Sequence, residues 1–215
     1  MNRKWYIMLI IVALVTVGLV SLGPIMSNVE QPQYQVIHTE KAFEIRLYEP
    51  VIIAEAAVKG ERKAAISEGF SILADYIFGN NSVNEKVSMT APVGQQQSQK
   101  ISMTAPVSQQ AIDGEWMVHF VMPSKYDLDT LPKPNNKQVN IKQVPSKTYA
   151  VIRFSGSNTN DNVLLHQKRL EEYLSEHKLE PLSSPMYAFY NPPWTLPFMR
   201  RNEAVSYTHL RAHET

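Results

Sequence analysis

Two adjacent arginines, Arg200 and Arg201, stand just before Glu203 and shortly after Tyr190 and Trp194. A guanidinium matches a carboxylate with two parallel hydrogen bonds, so this pair can hold a ligand's carboxylates. The same residues equally suit a solvated strand end or an ion pair with Glu203. Tyr190 and Trp194, beside Pro192-Pro193, offer flat apolar surface, as do Phe70, Leu73 and Ile77 in the first half of the chain. Without further information, such residues read as ordinary core. Six histidines are scattered, and no two have zinc-like spacing backed by carboxylates. His119, His166 and His177 read as packed, hydrogen-bonded residues, and Glu171-Glu172 as surface charge on a helix. Phosphate-loop, dinucleotide-glycine, G-x-S-x-G and H-E-x-x-H patterns are all absent. With no nucleophile beside a base, the residues predict neither a catalytic set nor a metal site.

Composition sets the frame for these residues. The chain has 215 residues, 44% hydrophobic and 19% charged, with net charge +1 and no cysteine. That length supports one domain with a sizeable core. A net charge near zero argues against general nucleic-acid binding, which needs clustered positive charge to displace counterions from phosphates. The lack of cysteine excludes disulfides, thiolate metal sites, covalent c-type haem attachment and a lipid-modified N-terminal cysteine. Arg3 and Lys4 precede an uncharged run from Trp5 to Val29, longer than the ~20 residues needed to span a bilayer. Residues 1–29 are therefore read as an uncleaved membrane anchor, with a cleaved signal segment as the alternative. The positive-inside rule then places the folded domain on the extracytoplasmic side of the cell membrane.

Periodicity supplies the elements that must position the chemistry. Asn28 to Gln33 reads as a polar linker. Phe43–Tyr48 and Val51–Val58 are predicted strands, the second closed by Gly60. A helix follows, with Ile66, Phe70, Leu73 and Ile77 on one stripe, flanked by Gly69 and Tyr76 and stopped at Gly79-Asn80-Asn81. Trp116–Met122 alternates, placing Trp116, Val118, Phe120 and Met122 on one face and Met117, His119 and Val121 on the other. After a Pro- and Asn-rich loop from Pro123 to Asn136, Val139–Val144 and Thr148–Phe154 are predicted strands, closed by Gly156. A second helix spans about Asp161 to His177, with Val163, Leu170 and Leu174 on its apolar face. Met186–Tyr190 and a segment starting at Asn202 complete the strands. Each half thus reads β-β-α-β-β, with Gly60 lying 16 residues before Tyr76 and Gly156 17 before Tyr173. The predicted fold is α+β: two duplicated halves forming a curved or barrel-like antiparallel sheet with two flanking helices.

Between the halves' motifs lies a repeated octapeptide. Lys86–Val93 reads K-V-S-M-T-A-P-V, and Lys100–Val107 reads K-I-S-M-T-A-P-V. Each copy suits a short extended segment, and Pro92 and Pro106 bar a central helix. Together with F-E-I-R-x-Y-x-P at Phe43–Pro50 and Y-N-P-P-W-x-x-x-x-x-R-R-N-E at Tyr190–Glu203, this stretch resembles the SOUL haem-binding protein family. The three motifs occur in the expected order across nearly the whole chain after the apolar run.

The resemblance implies non-covalent, non-catalytic binding of haem or a related tetrapyrrole in a surface apolar cleft. Phe70, Leu73, Ile77, Tyr190 and Trp194 would supply its walls, and Arg200 and Arg201 would pair with propionates. Some family members carry a candidate iron ligand, histidine, where Leu47 stands here. Ser67 and Asp75 occupy positions where haem-binding relatives can place bases. Met89 and Met103 read as core rather than as iron ligands. The alternative function is a binding module for other amphipathic small molecules, related to gyrase-inhibitor-type effector-binding domains. An enzyme acting on a porphyrin ranks last. After Glu203 the family pattern continues as an apolar strand, whereas Ser206–Thr215 reads S-Y-T-H-L-R-A-H-E-T. The domain is therefore placed at residues 30–205 and residues 206–215 are read as a non-native tail.

Overall fold

The computed structural model describes residues 29–83 and 98–208. The apolar N-terminal run up to residue 28, the first octapeptide copy and residues 209–215 lie outside the described residues. Among the described residues no helix is long and apolar enough to cross a membrane.

The strands are β1 (Tyr34–Glu40), β2 (Phe43–Tyr48), β3 (Val51–Val58), β4 (Asn81–Ser82), β5 (Val107–Ile112), β6 (Glu115–Val121), β7 (Lys133–Pro134), β8 (Asn140–Val144), β9 (Lys147–Phe154), β10 (Met186–Phe189) and β11 (Asn202–Tyr207). The helices are α1 (Arg62–Phe78) and α2 (Asn160–Glu176). Among the described residues nine strands form one curled antiparallel sheet, in the order β1-β2-β9-β11-β10-β5-β6-β3-β8. The two-residue strands β4 and β7 pair separately and pin part of the Pro- and Asn-rich loop. The class is α+β, as expected.

Reading the sheet from its middle, β10-β11-β9-β2 on one side mirrors β5-β6-β3-β8 on the other. The first strand of each half is exchanged: β2 pairs with β9, and β8 pairs with β3. Gly60 and Gly156 end the equivalent strands at φ +102° and +103°, a left-handed turn that favours glycine.

Each helix buries its stripe on the same face of the sheet. Leu73, Tyr76 and Ile77 of α1 pack on Ala54, Ala56, Val118 and Phe120. Val163, Leu170, Tyr173 and Leu174 of α2 pack on Ile45, Ala150, Ile152 and Ala204. The stripe of α1 is rotated from the predicted one. Ala65 and Gly69 are buried, while Ile66 is half-buried and Phe70 reaches solvent. The reason is Gly69: a Cβ there would lie 2.6 Å from the Val118 Cβ, so the small residue lets α1 settle directly on β6. Gly79, at φ +128°, ends α1 at the expected place. Asn81 then fastens the helix end by donating to the carbonyls of Tyr76 and Gln99, both at 2.8 Å.

Two further readings need correction. The Asn28–Gln33 stretch is no free linker over its described part. Val29 packs against the small cluster that Tyr190 forms with Ala105 and Ala188, the Ala105 N–H donates to the Glu30 carbonyl, and Glu49 N–H donates to that of Gln33. At the other end, β11 runs through Ser206 and Tyr207, paired with Ala150 and Tyr149, and Thr208 bridges Pro181. The domain boundary therefore passes 205. Backbone ladder bonds need no particular side chains, which is why a sequence without apolar alternation still completes the strand.

Candidate functional site

The two motifs at Phe43–Pro50 and Tyr190–Glu203 meet in space on the sheet face away from the helices. Alternation in β2 turns Glu44, Arg46 and Tyr48 to this face, while Ile45 enters the core with α2. In β11 the same alternation turns out Glu203, whose side chain is fully buried nonetheless. Its Oε2 accepts from Arg46 Nη1 at 3.0 Å and from the Tyr190 hydroxyl at 2.8 Å. Its Oε1 accepts from Arg201 Nε at 3.0 Å and Nη2 at 2.8 Å. Arg46, 2% exposed, also donates to Glu44 at 2.7 Å and to the Tyr48 hydroxyl at 3.1 Å. Arg201 lies over the Tyr190 ring, 3.8 Å from its centroid, and donates to Gln31 at 3.1 Å.

This cluster shifts its members as a shared charge requires. Burial is the strongest influence and disfavours the Arg46 cation, but Glu203, Tyr48 and Glu44 together outweigh it and hold the group above the ordinary guanidinium range. Arg201 is raised against burial by Glu203 and Tyr190. Burial, reinforced by the Glu203 charge, pushes Tyr48 up to about 12 and raises Tyr190 well above the usual phenol value.

The seven residues expected to form one ligand cleft are distributed over four places. Leu73 and Ile77 are closed off beneath α1, at 0% and 1% exposure, and present no surface to a ligand. Phe70 sits on the exposed flank of α1, its ring edge against Phe120 with centroids 5.5 Å apart. Tyr190 and Arg201 belong to the Glu203 cluster. Trp194 and Arg200 lie in the β10–β11 loop. There Arg200 turns back on its own loop, donating to the carbonyls of Thr195 at 2.7 Å and Pro193 at 2.5 Å. Both expected propionate partners thus have their guanidinium groups engaged within the protein.

The loop itself carries apolar surface. Trp194 is 68% exposed and Phe198 73%, and Leu196 is also exposed. Gly156 N–H donates to the Pro197 carbonyl at 2.8 Å, so the loop leans toward the start of α2, where Leu164 and Leu165 are exposed.

On the same face as the Glu203 cluster, the curl of the sheet closes around a cleft of about 200 Å³ that Tyr48, Tyr190 and Glu203 also line. Ile53, Met117, Val121, Met186 and Val205 give it apolar walls, and Glu55, His119 and Lys142 give it polar ones. Met117, His119 and Val121 share this face, as the alternation predicts. Glu55 accepts from Asn140 at 3.0 Å and pairs with Lys142 at 2.7 Å. His119 is crowded on all sides yet keeps some surface open to the cleft. Desolvation lowers it to about 4, with Glu55 opposing and Lys142 assisting.

Of the other histidines named above, His166 is half-buried and hydrogen-bonded, whereas His177, expected to be packed, is exposed. Nδ1 of His166 is 2.7 Å from the Asn162 carbonyl and its ring stacks on Phe154, while His177 pairs with Glu40 at 3.1 Å. Among the described residues no group of three metal-ligating side chains gathers. Met103 is half-buried against the α1 core, beside Ile101. The second octapeptide copy is not itself a strand. Ile101 donates to the Ile77 carbonyl at 2.8 Å, Thr104 donates to that of Val121, and Val107 opens β5.

Residues 29–207 match the sequence profile described as SOUL heme-binding protein. The chain belongs to the SOUL heme-binding protein family. No curated protein sequence matches it significantly. Solved structures similar in fold include the EcmrR C-terminal domain, with 8% identity, a TM-score of 0.57, and coverage of 82% of this chain and 98% of that one. A hydrolase from Listeria innocua aligns at 8% identity and a TM-score of 0.51, covering 80% and 94%. EcmrR in its DNA complex aligns at 10% identity and 0.52, covering 81% and 57%. At such identities the likeness is one of fold alone.

The SOUL motifs place the buried cluster in a new light. Arg46, Tyr48, Tyr190, Arg201 and Glu203 are motif residues, and together they bind β2, β10 and β11 to one another. Sequence reasoning treated Arg201 as a ligand contact and passed over Arg46 and Tyr48. The signal for the network was available in their outward register on strands β2 and β11. It could not be used without knowing that β9 alone separates those strands.

Proposed function

We propose that this SOUL-family chain is a non-catalytic binding protein for haem or a related tetrapyrrole. The match of residues 29–207 to the family carries this reading. The structure supports it in one respect, the exposed Trp194 and Phe198, which suit the flat apolar face of a porphyrin. Axial ligation has less support. Position 47 is leucine, and His166 and His177 are engaged by Asn162, Phe154 and Glu40. Binding would therefore rest on apolar contact, with the ligand lying on the surface and Phe70 and Trp194 as contact residues. An uncleaved N-terminal anchor would hold the domain on the extracytoplasmic face.

Titration with hemin and with iron-free protoporphyrin tests this reading. Both should give saturable Soret changes, with affinities within about tenfold, a difference of ~1.4 kcal/mol. Trp194→Ala should weaken both together. A strong preference for hemin that disappears on replacing His166 or His177 would mean direct iron ligation instead. No saturable change with either ligand would end the tetrapyrrole reading.

The cleft opposite the helices supports a second reading, binding of a smaller amphipathic molecule. Its 200 Å³ is below the ~300–1,000 Å³ of pockets that enclose drug-sized ligands, so it would not engulf a haem. Met117→Trp should fill it, abolishing binding of a small amphiphile while leaving hemin binding intact.

A further inference from the structure

We infer that the β10–β11 loop, residues 191–200, is a bilayer contact: Trp194, Leu196 and Phe198 enter the lipid interface beside the point where the chain's apolar N-terminal run joins the domain. The inference rests on the anchor reading of that run, and it gives to lipid the same Trp194 and Phe198 surface that the tetrapyrrole reading uses, so the two would compete for it.

Three large apolar side chains lie exposed within five residues of one loop. A concentrated apolar surface on a folded domain marks an interaction site rather than a random exposure. The loop is also braced. Pro192, Pro193 and Pro197 limit its backbone, Met199 N–H donates to the Leu196 carbonyl at 2.9 Å, and Gly156 holds Pro197. Arg200 satisfies the carbonyls of Pro193 and Thr195 from within the loop. Backbone carbonyls that approach the hydrocarbon need such internal partners, because no water reaches them there. A loop that collapsed onto the core would have no use for this bracing.

The attachment point identifies the partner. Tyr190 and Arg201 close the base of the loop, the Tyr190 N–H donating to the Arg201 carbonyl at 3.2 Å. Val29, the last residue of the uncharged run, packs against the small cluster that Tyr190 forms with Ala105 and Ala188, and Gln31 accepts from that same Arg201. No free linker separates the run from the loop's base. If the run spans a bilayer, the domain sits directly on the membrane with this loop beside the entry point. Trp and Phe are suited to that depth, where aromatic side chains collect at membrane–water interfaces.

The chain has no cysteine, so a single introduced thiol reports one place. Phe198→Cys and, as control, Ile112→Cys at the far end of β5 would carry a nitroxide label in the full chain. The chain would be reconstituted in palmitoyl-oleoyl phosphatidylcholine vesicles. Both positions are exposed, so both variants should fold. The expected result is flotation of the chain with the vesicles. At 198, collisions with a water-soluble nickel complex should fall several-fold relative to 112, and collisions with oxygen should rise. A chain that floats with its 198 label as open to nickel as 112 overturns the loop contact while leaving the anchor. Shielding of the 198 label from both agents means a protein surface covers the loop, and overturns it too. A chain that fails to float overturns the anchor and the contact together.

Discussion

Glu203→Gln is the sharpest test of what the SOUL motif residues do. The substitution keeps shape and volume but removes the charge that Arg46 and Arg201 share. In the native arrangement every hydrogen on Glu203 is contributed by a donor: Arg201 twice on Oε1, Arg46 and Tyr190 on Oε2. A glutamine presents one oxygen and one NH2. If the NH2 takes the Oε1 place it faces Arg201, which cannot accept. In the Oε2 place it faces Arg46, and only the Tyr190 hydroxyl can turn to accept. Either flip leaves a guanidinium opposed to a donor, and Arg46 keeps only Glu44, whose side chain is 30% exposed, as an anionic partner.

Breaking a buried ion pair by removing one partner costs roughly 3–5 kcal/mol. For a domain of this size ~1 kcal/mol corresponds to about 2–4 °C in Tm, so a fall of about 6–12 °C is expected at the lower bound. Urea unfolding followed by circular dichroism would measure it, with the half-buried Glu44→Gln as a comparison, expected to lose less than Glu203→Gln because Arg46 keeps Glu203. Adding Arg46→Met to Glu203→Gln should cost less than Arg46→Met alone, since the pair is already broken. If Glu203→Gln unfolds within ~1 kcal/mol of the parent, the cluster is not what holds β2 to β10 and β11.

Other substitutions test separate contacts. Gly69→Ala should destabilise by about 1–3 kcal/mol, because its Cβ would meet both the Cβ and a Cγ of Val118 at 2.6 Å, and Val118→Ala, which keeps the Cβ contact, should not restore the parent's stability. Equal melting of Gly69→Ala and the parent would mean α1 is less tightly seated than described. His119 is a base whose folded value is lowered to about 4 from 6.5. At pH 7 it is neutral in both states, but as pH falls from 6.5 toward 4 the unfolded chain takes a proton that the folded one refuses. Stability should fall across that window, more steeply in the parent than in His119→Gln. Identical slopes by urea titration at pH 7 and 4.5 would refute the assignment.

Most of the architecture was legible because strand and helix periods are local properties. The ends of β2, β3, α1, β9 and α2 fell near their predicted places, since glycines and prolines mark them within a residue or two. The candidate cleft was less legible, for reasons visible in single residues. Phe70 and Leu73 share a predicted stripe, yet a glycine one residue before Phe70 decides which of them faces the sheet. Arg201 and Trp194 are close in sequence, but a loop closed at Tyr190 and Arg201 sends one into an ionic cluster and the other into solvent. β1 was missed because an exposed edge strand shows no apolar alternation: five of its seven residues are exposed.

The exchange of first strands explains why the family signature lies where it does. β2 belongs by sequence to the first half but pairs with β9 of the second, so its attachment cannot come from local contacts alone. Arg46, carried by β2, reaches past β9 to Glu203 on β11, 157 positions away. The equivalent exchanged strand of the other half, β8, uses the same device in weaker form: Asn140 and Lys142 both engage Glu55 on β3. The charged residues of F-E-I-R-x-Y and R-R-N-E thus close the sheet across the join between halves. On the tetrapyrrole reading, Phe70, whose surface is open and which lies outside that cluster, is a position where substitution should change binding while leaving the melting temperature in place.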